Sequence, residues 1–482
     1  MHIVKLLFLT ALVSLLAACA YKTQPVPNPS TARLLIPGQE GSPRTIQIFF
    51  DGTSNDWLAR TNVRRRFEIA AAAESPFAPC LYVEGVGVNT LSGKVLGTGI
   101  KNRVLKGYQF LAKNWSPGRK DKIYLYGFSR GAFQARVLAG MMAHCGLPDA
   151  QASGLTDNQL EALSEQVWDF CRVTLKDPVG TSLSTPAWKA HLKKNQEATQ
   201  KRFPKVRFSN PSIQMMAIWD TVPGLPFTQM AELEAPSEYD EQRYKVRPYP
   251  NLELVMHALA LDDRRSRFAP LLVGPPLDPA TKVYEVWFPG AHSDVGGGYD
   301  DSNDMAGLSL HWMHELMLER GLTQRIQGFY RDAQGILHHP EKSTAMKLVN
   351  KDQRRLLPHG STVDFSVFRR ADGRPHPEEG HPDGVVYAPE IEVILPRETD
   401  TDPTTVRTKK LKLAGPYTQA SAAEALQSVG LKLYNPDSTR TQSTGTVPLA
   451  PSQMKVLLKP VDLSADAGGA ADAPAPQEVG AP

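Results

Sequence analysis

Residues 121–133 read DKIYLYGFSRGAF: an apolar run, a glycine, one serine, and a second glycine that opens the segment AFQARVLAGMM. KIYLY has the composition of a buried strand and the segment after it is helix-compatible, so Ser129 stands on a strand-to-helix turn. Gly127 and Gly131 flank it at minus two and plus two, where a tight turn packed against its neighbours needs small residues. Ser129 is either a nucleophile raised on that turn or a serine capping its helix. Partners elsewhere in the chain decide between the two.

A serine hydroxyl is a poor nucleophile at neutral pH and needs a histidine to take its proton and an acid to orient that histidine. On a parallel sheet the expected chain order is serine, acid, histidine, each at a strand end. The run SIQMMAIWDTVPG delivers Asp220 directly after an apolar strand, and KVYEVWFPGAHSDVGGGY delivers His292 four residues past another. Of the twelve histidines, only His292 combines a preceding buried-type strand with glycines on both sides, Gly290 and Gly296 to Gly298. His144 and His257 fall in helical patterns and read as packing or surface residues. For Asp220 the alternative is a turn or helix-capping aspartate. Catalysis would also need N–H groups for an oxyanion, and these are read as Arg130, after the serine, with Gly52 and Thr53. The DGT at Asp51–Thr53 is similar to that of haloacid dehalogenase-type phosphatases, but Phe49 stands where their nucleophilic aspartate would be. Asp51 can instead hold its loop by local hydrogen bonds.

Strand-like runs end at Phe50, Tyr126, Trp219 and Phe288. Helix-compatible segments are 101–115, 132–145, 158–176, 188–203 and 252–262. The alternation predicts an α/β fold with a mostly parallel sheet covered on both faces, the site lying at the carboxyl ends of the strands. Within a catalytic region of 45–337, residues 146–205 read as a helical insertion or cap, placed where it could cover the serine. Residues 338–463 change to short β-like pieces such as GVVYAPEIEVIL and read as an accessory β-containing region. The tail 464–482 is Ala/Pro/Gly-rich and expected to be disordered.

The first nineteen residues carry a basic start at Lys5, an apolar stretch from Leu6 to Leu16, and small residues up to Cys19. That pattern is an export signal. Leu16-Ala17-Ala18-Cys19 resembles the lipobox of bacterial lipoproteins, which implies lipidation of Cys19 and anchoring to the cell envelope. With Ala20 after the cysteine, the outer membrane is favoured over the inner. Residues 20–44 read as a tether.

The balance of 54 basic and 50 acidic residues, net +4, leaves no footprint of nucleic-acid binding. There is no CxxC pair, HExxH or EF-hand loop, so no metal or other cofactor is called for. Cys80, Cys145 and Cys171 allow at most one internal disulfide. Asp294, Asp300, Asp301 and Asp304 read as solvated loop carboxylates in preference to a calcium site. Arg264, Arg265 and Arg267 read as solvated or acid-paired in preference to a lipid head-group site.

The blocks FFDGTSND, YGFSRGAFQAR, IWDTVPG, ALALDDRRSRFAP and FPGAHSDVGGGYDD resemble, in that order, the α/β-hydrolase family that includes phospholipase effectors of bacterial type VI secretion. The resemblance spans about residues 45–320. It implies an α/β-hydrolase fold, a triad of Ser129, Asp220 and His292, and hydrolysis of phospholipid or other acyl esters. Secreted effectors of this family typically lack a lipobox, so the anchor fits an envelope lipase or surface-exposed lipoprotein better than a toxin. A non-catalytic envelope lipoprotein that keeps the fold for binding is the alternative.

Overall fold

In the run TIQIFF every residue after Thr45 is buried, so the strand is covered on both faces. Ile46, Ile48 and Phe50 pack with Ile123 and Leu125 into one core, while Phe49 packs with Tyr124, Tyr126 and Phe128 into another. Strands buried on both faces belong inside a parallel sheet. The computed structural model describes residues 43–434, except 54, 56–57, 73–78, 86–98, 179–182, 224–243, 324–329, 344–351 and 397–406. The expected signal segment with Cys19, the tether through residue 42 and the tail lie outside the described residues.

In chain order, β1 (Thr45–Phe50), α1 (Asn62–Ala72), β2 (Cys80–Val83), α2 (Ile100–Asn114), β3 (Lys122–Phe128) and α3 (Arg130–Cys145) form the first half. The insertion follows: β4 (Leu147–Pro148), α4 (Asp157–Asp169), a π-turn at Phe170–Thr174, α5 (Thr185–Arg202) and β5 (Phe208–Ser209). Then come β6 (Met215–Trp219), β7 (Leu254–Ala260), β8 (Lys282–Phe288), α6 (His292–Gly296) and α7 (Ala306–Glu319). The last part holds β9 (Leu356–Pro358), β10 (Thr362–Asp364), α8 (Ser366–Arg370), β11 (Pro375–Glu378), β12 (His381–Val386), β13 (Glu390–Ile394), β14 (Thr408–Lys412), α9 (Gln419–Ser428) and β15 (Lys432–Tyr434).

Eight strands make one sheet in the order β15-β10-β8-β7-β6-β3-β1-β2, with every pairing parallel. Helices α2 and α3 cover one face, with α4 packed outside α2; α1 and α7 cover the other. This is the expected fold class. One segment departs from expectation: residues 252–262, read as helix-compatible, contain β7, buried along its whole length. LVMHALA is rich in good helix formers, but a seven-residue apolar run cannot be assigned by periodicity, and central placement between β6 and β8 overrides propensity. The region expected to be accessory also contributes to the main sheet, through β10 and β15.

The insertion is clasped at its base by the antiparallel pair β4–β5. Its helix α5 bonds the far end of α3, where Gln196 Nε2 donates to the Ala143 carbonyl at 2.8 Å. It also meets Leu277 and Asp278, which precede β8, so α5 runs along the amino edge of the sheet. Helix α4 lies against α2, tied by a Lys113–Asp157 ion pair at 2.8 Å. Together these helices form an outer layer, and the cap expected over Ser129 is not what α5 builds. The three described cysteines, Cys80, Cys145 and Cys171, are all buried. No helix among the described residues is long and apolar enough to cross a membrane.

Candidate active site

The turn between β3 and α3 holds Ser129 at φ 57°, ψ −124°, a strained conformation for a residue with a side chain. Its backbone is fixed by the Ser129 N–H donating to the Trp219 carbonyl at 3.0 Å and by the Val222 N–H donating to the Ser129 carbonyl at 3.3 Å. The hydroxyl makes no capping bond to α3, which removes the capping alternative. Both glycines are required by space. A Cβ on Gly131 would stand 2.1 Å from the Phe50 carbonyl oxygen, and one on Gly127 would stand 2.6 Å from the Ala132 Cα.

Asp220 follows β6 and is fully buried. Its Oδ2 lies 2.5 Å from His292 Nδ1, so the acid–histidine pair is formed. The Ala260 N–H donates to Oδ1 at 3.0 Å. Arg355 then grips both oxygens, Nη1 to Oδ1 at 2.6 Å and Nη2 to Oδ2 at 2.9 Å. Burial alone would raise the Asp220 pKa; the Arg355 charge and the His292 contact outweigh it and hold the carboxylate below its usual range. The same burial lowers His292 despite the upward pull of Asp220, leaving a neutral imidazole at neutral pH.

His292 opens the short helix α6, and its ring packs on Phe128, next to Ser129, with centroids 4.6 Å apart. Phe268 closes the other side at 5.2 Å. The His292 N–H donates to Asp263 at 3.1 Å, and Asp263 is paired with Arg265 at 2.6 Å. Asp262 accepts from the Gly290 N–H at 2.6 Å and from the Tyr387 hydroxyl at 2.8 Å. From below, Asn62 donates to the carbonyls of Val295 and Ala306 at 3.0 and 2.8 Å. The histidine loop is thus held from three directions. Ser129 Oγ and His292 are not hydrogen-bonded to each other; in ligand-free sites this contact is commonly long and tightens with substrate.

The β1 loop meets the turn where Arg130 Nε bonds the Thr53 hydroxyl. Gly52 leaves the expected oxyanion set: its N–H donates to Asp51 Oδ1 at 2.7 Å. Asp51 also accepts from Thr61 and Tyr82, each at 2.6 Å, so it holds the loop by local bonds; burial raises its pKa to about 6 against those donors. Asp294, the acid nearest His292 in sequence, faces elsewhere, with Oδ1 2.5 Å from His338 Nδ1. The opposite His338 nitrogen meets Asp301 at 3.1 Å, so these two carboxylates pin a loop, and Asp294 is buried where a solvated carboxylate was expected. Arg264 and Arg265 are paired with Asp352 and Asp263. Sequence reading missed Arg355, Asp263 and Asn62. The block ALALDDRRSRFAP contained a signal for Asp263; nothing local marked Arg355.

A family model, the catalytic domain of Tle1-like phospholipase effectors of type VI secretion, matches residues 44–316. The chain belongs to this family. Ser129, Asp220 and His292 all fall inside the match, whereas Arg355 lies beyond it. The Tle1-like chain is 25% identical to an uncharacterised protein of Saccharomyces cerevisiae over 262 residues, 48% of this chain and about a third (33%) of the yeast protein. Among solved structures, an uncharacterised Pseudomonas aeruginosa protein is 17% identical, with TM-score 0.35, covering 59% of this chain and 47% of that one. The Tle1 effector bound to the VgrG spike is 18% identical, TM-score 0.27, covering 54% and 52%. The propionate-bound esterase Est2 of Thermogutta terrifontis is 12% identical, TM-score 0.30, covering 61% and 89%.

Proposed function

We propose that this Tle1-like protein is a serine hydrolase that cleaves carboxylic esters, phospholipid acyl esters foremost, through an acyl-enzyme on Ser129. The observation that carries the reading is the strained Ser129 turn set at strand ends shared with a bonded Asp220–His292 pair. His292 takes the Ser129 proton as Oγ attacks the ester carbonyl; the N–H groups of Arg130 and Thr53 are the donors assigned to the oxyanion. Collapse transfers the proton from His292 to the departing alcohol, and water then repeats the sequence to release the fatty acid. Arg355 keeps Asp220 ionised, so the pair sustains the imidazolium that forms. The test is incubation of purified protein with defined phospholipids and mass spectrometry of the products, beside labelling by a fluorophosphonate probe. Probe labelling without lipid turnover would redirect the substrate class; neither signal would favour the binding-module alternative.

Two results are expected here. Only neutral His292 can act as base, and burial lowers its pKa. Activity is therefore lost as pH falls, and the acid limb of kcat/KM should have its midpoint below the ordinary histidine value of about 6.5. A midpoint above that value would contradict the assigned base. The second concerns the anchor, with Cys19 carrying lipid at the envelope, outer membrane favoured. Cys19→Ser should move the protein from the membrane to the soluble fraction; unchanged fractionation with no lipid mass on the mature N-terminus would remove the anchor from the proposal.

A further inference from the structure

A second cluster of titratable groups lies at the amino edge of the sheet, and the proposed hydrolysis does not use it. His144 is near the end of α3, fifteen residues from Ser129 and so about 22 Å along the helix axis. Asp177 lies in the connection between α4 and α5, and His191 is on α5. Asp177 Oδ1 is 3.2 Å from His144 Nε2 and 3.7 Å from His191 Nε2. All three atoms lie within 4.8 Å of one another. His144 and Asp177 are buried, and apart from their 3.2 Å approach to each other, His144 Nε2 and Asp177 Oδ1 have no hydrogen-bond partner. Buried polar atoms left unpaired are unfavourable, and two that converge on a third ligand-type atom point to a missing centre.

The surrounding bonds are of the kind that orient metal ligands. The Tyr249 hydroxyl donates to the other oxygen of Asp177, and the Asn195 amide sits 2.9 Å from His144 Nδ1. With its oxygen turned to that nitrogen, Asn195 accepts Nδ1–H and leaves the Nε2 lone pair facing Asp177. The same amide lies 3.1 Å from His191 Nε2, so the His191 ring must exchange that contact for a metal bond. Tetrahedral zinc with bonds of about 2.0–2.1 Å places its ligands roughly 3.3 Å apart, close to the two separations from Asp177. One cation already neighbours the site: Lys245 Nζ, buried, is 3.9 Å from Asp177 Oδ1. A dication must compete with it.

We propose that His144 Nε2, Asp177 Oδ1 and His191 Nε2 form a three-ligand site for a divalent transition metal, zinc by its imidazole and carboxylate donors, with water as the fourth ligand. The site joins α3, the α4–α5 connection and α5, so its role is structural. The test uses the full chain, stripped with a chelator and titrated with Co2+ and then Zn2+. One equivalent of Co2+ should give a tetrahedral visible band that Zn2+ removes. Zn2+ at a hundred times Kd should raise Tm by about 5 °C. His191→Ala, at a partly exposed position, should fold yet lose both signals, while Lys245→Met should tighten Co2+ binding by roughly tenfold or more. An absent band in the parent chain, a band retained in His191→Ala, or unchanged affinity in Lys245→Met each overturns the site. None of these readouts depends on ester hydrolysis.

Discussion

Ser129→Ala is expected to lose ester hydrolysis by on the order of a thousandfold or more while its melting curve stays in place. The hydroxyl makes no bond to α3, so its removal leaves the turn, which is held by Trp219 and Val222, intact. Fluorophosphonate labelling should vanish with the activity. Adding His292→Ala to Ser129→Ala should change little further, because a general base without its nucleophile has no proton to take. Asp294→Ala supplies the control. Its carboxylate is bonded to His338, so it should cost less activity than Asp220→Asn, which leaves His292 Nδ1 without its anion. Full activity in Ser129→Ala would end the proposed mechanism.

Arg355→Met should be the second most damaging change, although this residue touches no reacting atom. It strips a fully buried carboxylate of its bidentate partner, and breaking such a pair costs about 3–5 kcal/mol of stability. A merely structural loss would stop there. As a positioning residue, Arg355 should also shape the pH profile. Without its counter-charge Asp220 exerts more of its field on His292, so the imidazole holds its proton more tightly. The acid limb of kcat/KM should then move to higher pH in Arg355→Met, and Arg355→Lys, with one charge and no fork, should fall between. Lost stability with an unmoved acid limb would reduce Arg355 to a structural role.

Ser129, Asp220 and His292 could be singled out in the chain because each closely follows a strand-forming run, KIYLY, SIQMMAIW or KVYEVWF, whose last residues are buried. LVMHALA of β7 is the same kind of run composed of helix formers, which is why it misled. His257 went with it: expected on a helix, it sits on β7, fully buried, bonded to Glu285 at 2.9 Å. Long-range polar contacts leave weaker traces. Asn62 and Arg355 each act on loops far away in sequence, and a single polar residue in an ordinary stretch carries no period, spacing or turn chemistry to reveal its partner. The Gly52 reading failed for a local reason, since an aspartate at a strand end readily captures the N–H of the residue after it.

The clamp on Asp220 also has a direction in time. Arg355 lies 135 residues after the carboxylate it neutralises, and β15, at the edge of the same sheet, is later still. A ribosome therefore delivers Ser129, Asp220 and His292 well before the charge that balances the acid. The emerging chain possesses every reacting group while its buried anion still lacks a counter-ion. The proposed site therefore gains its full set of charges only as about the last quarter of the chain is added.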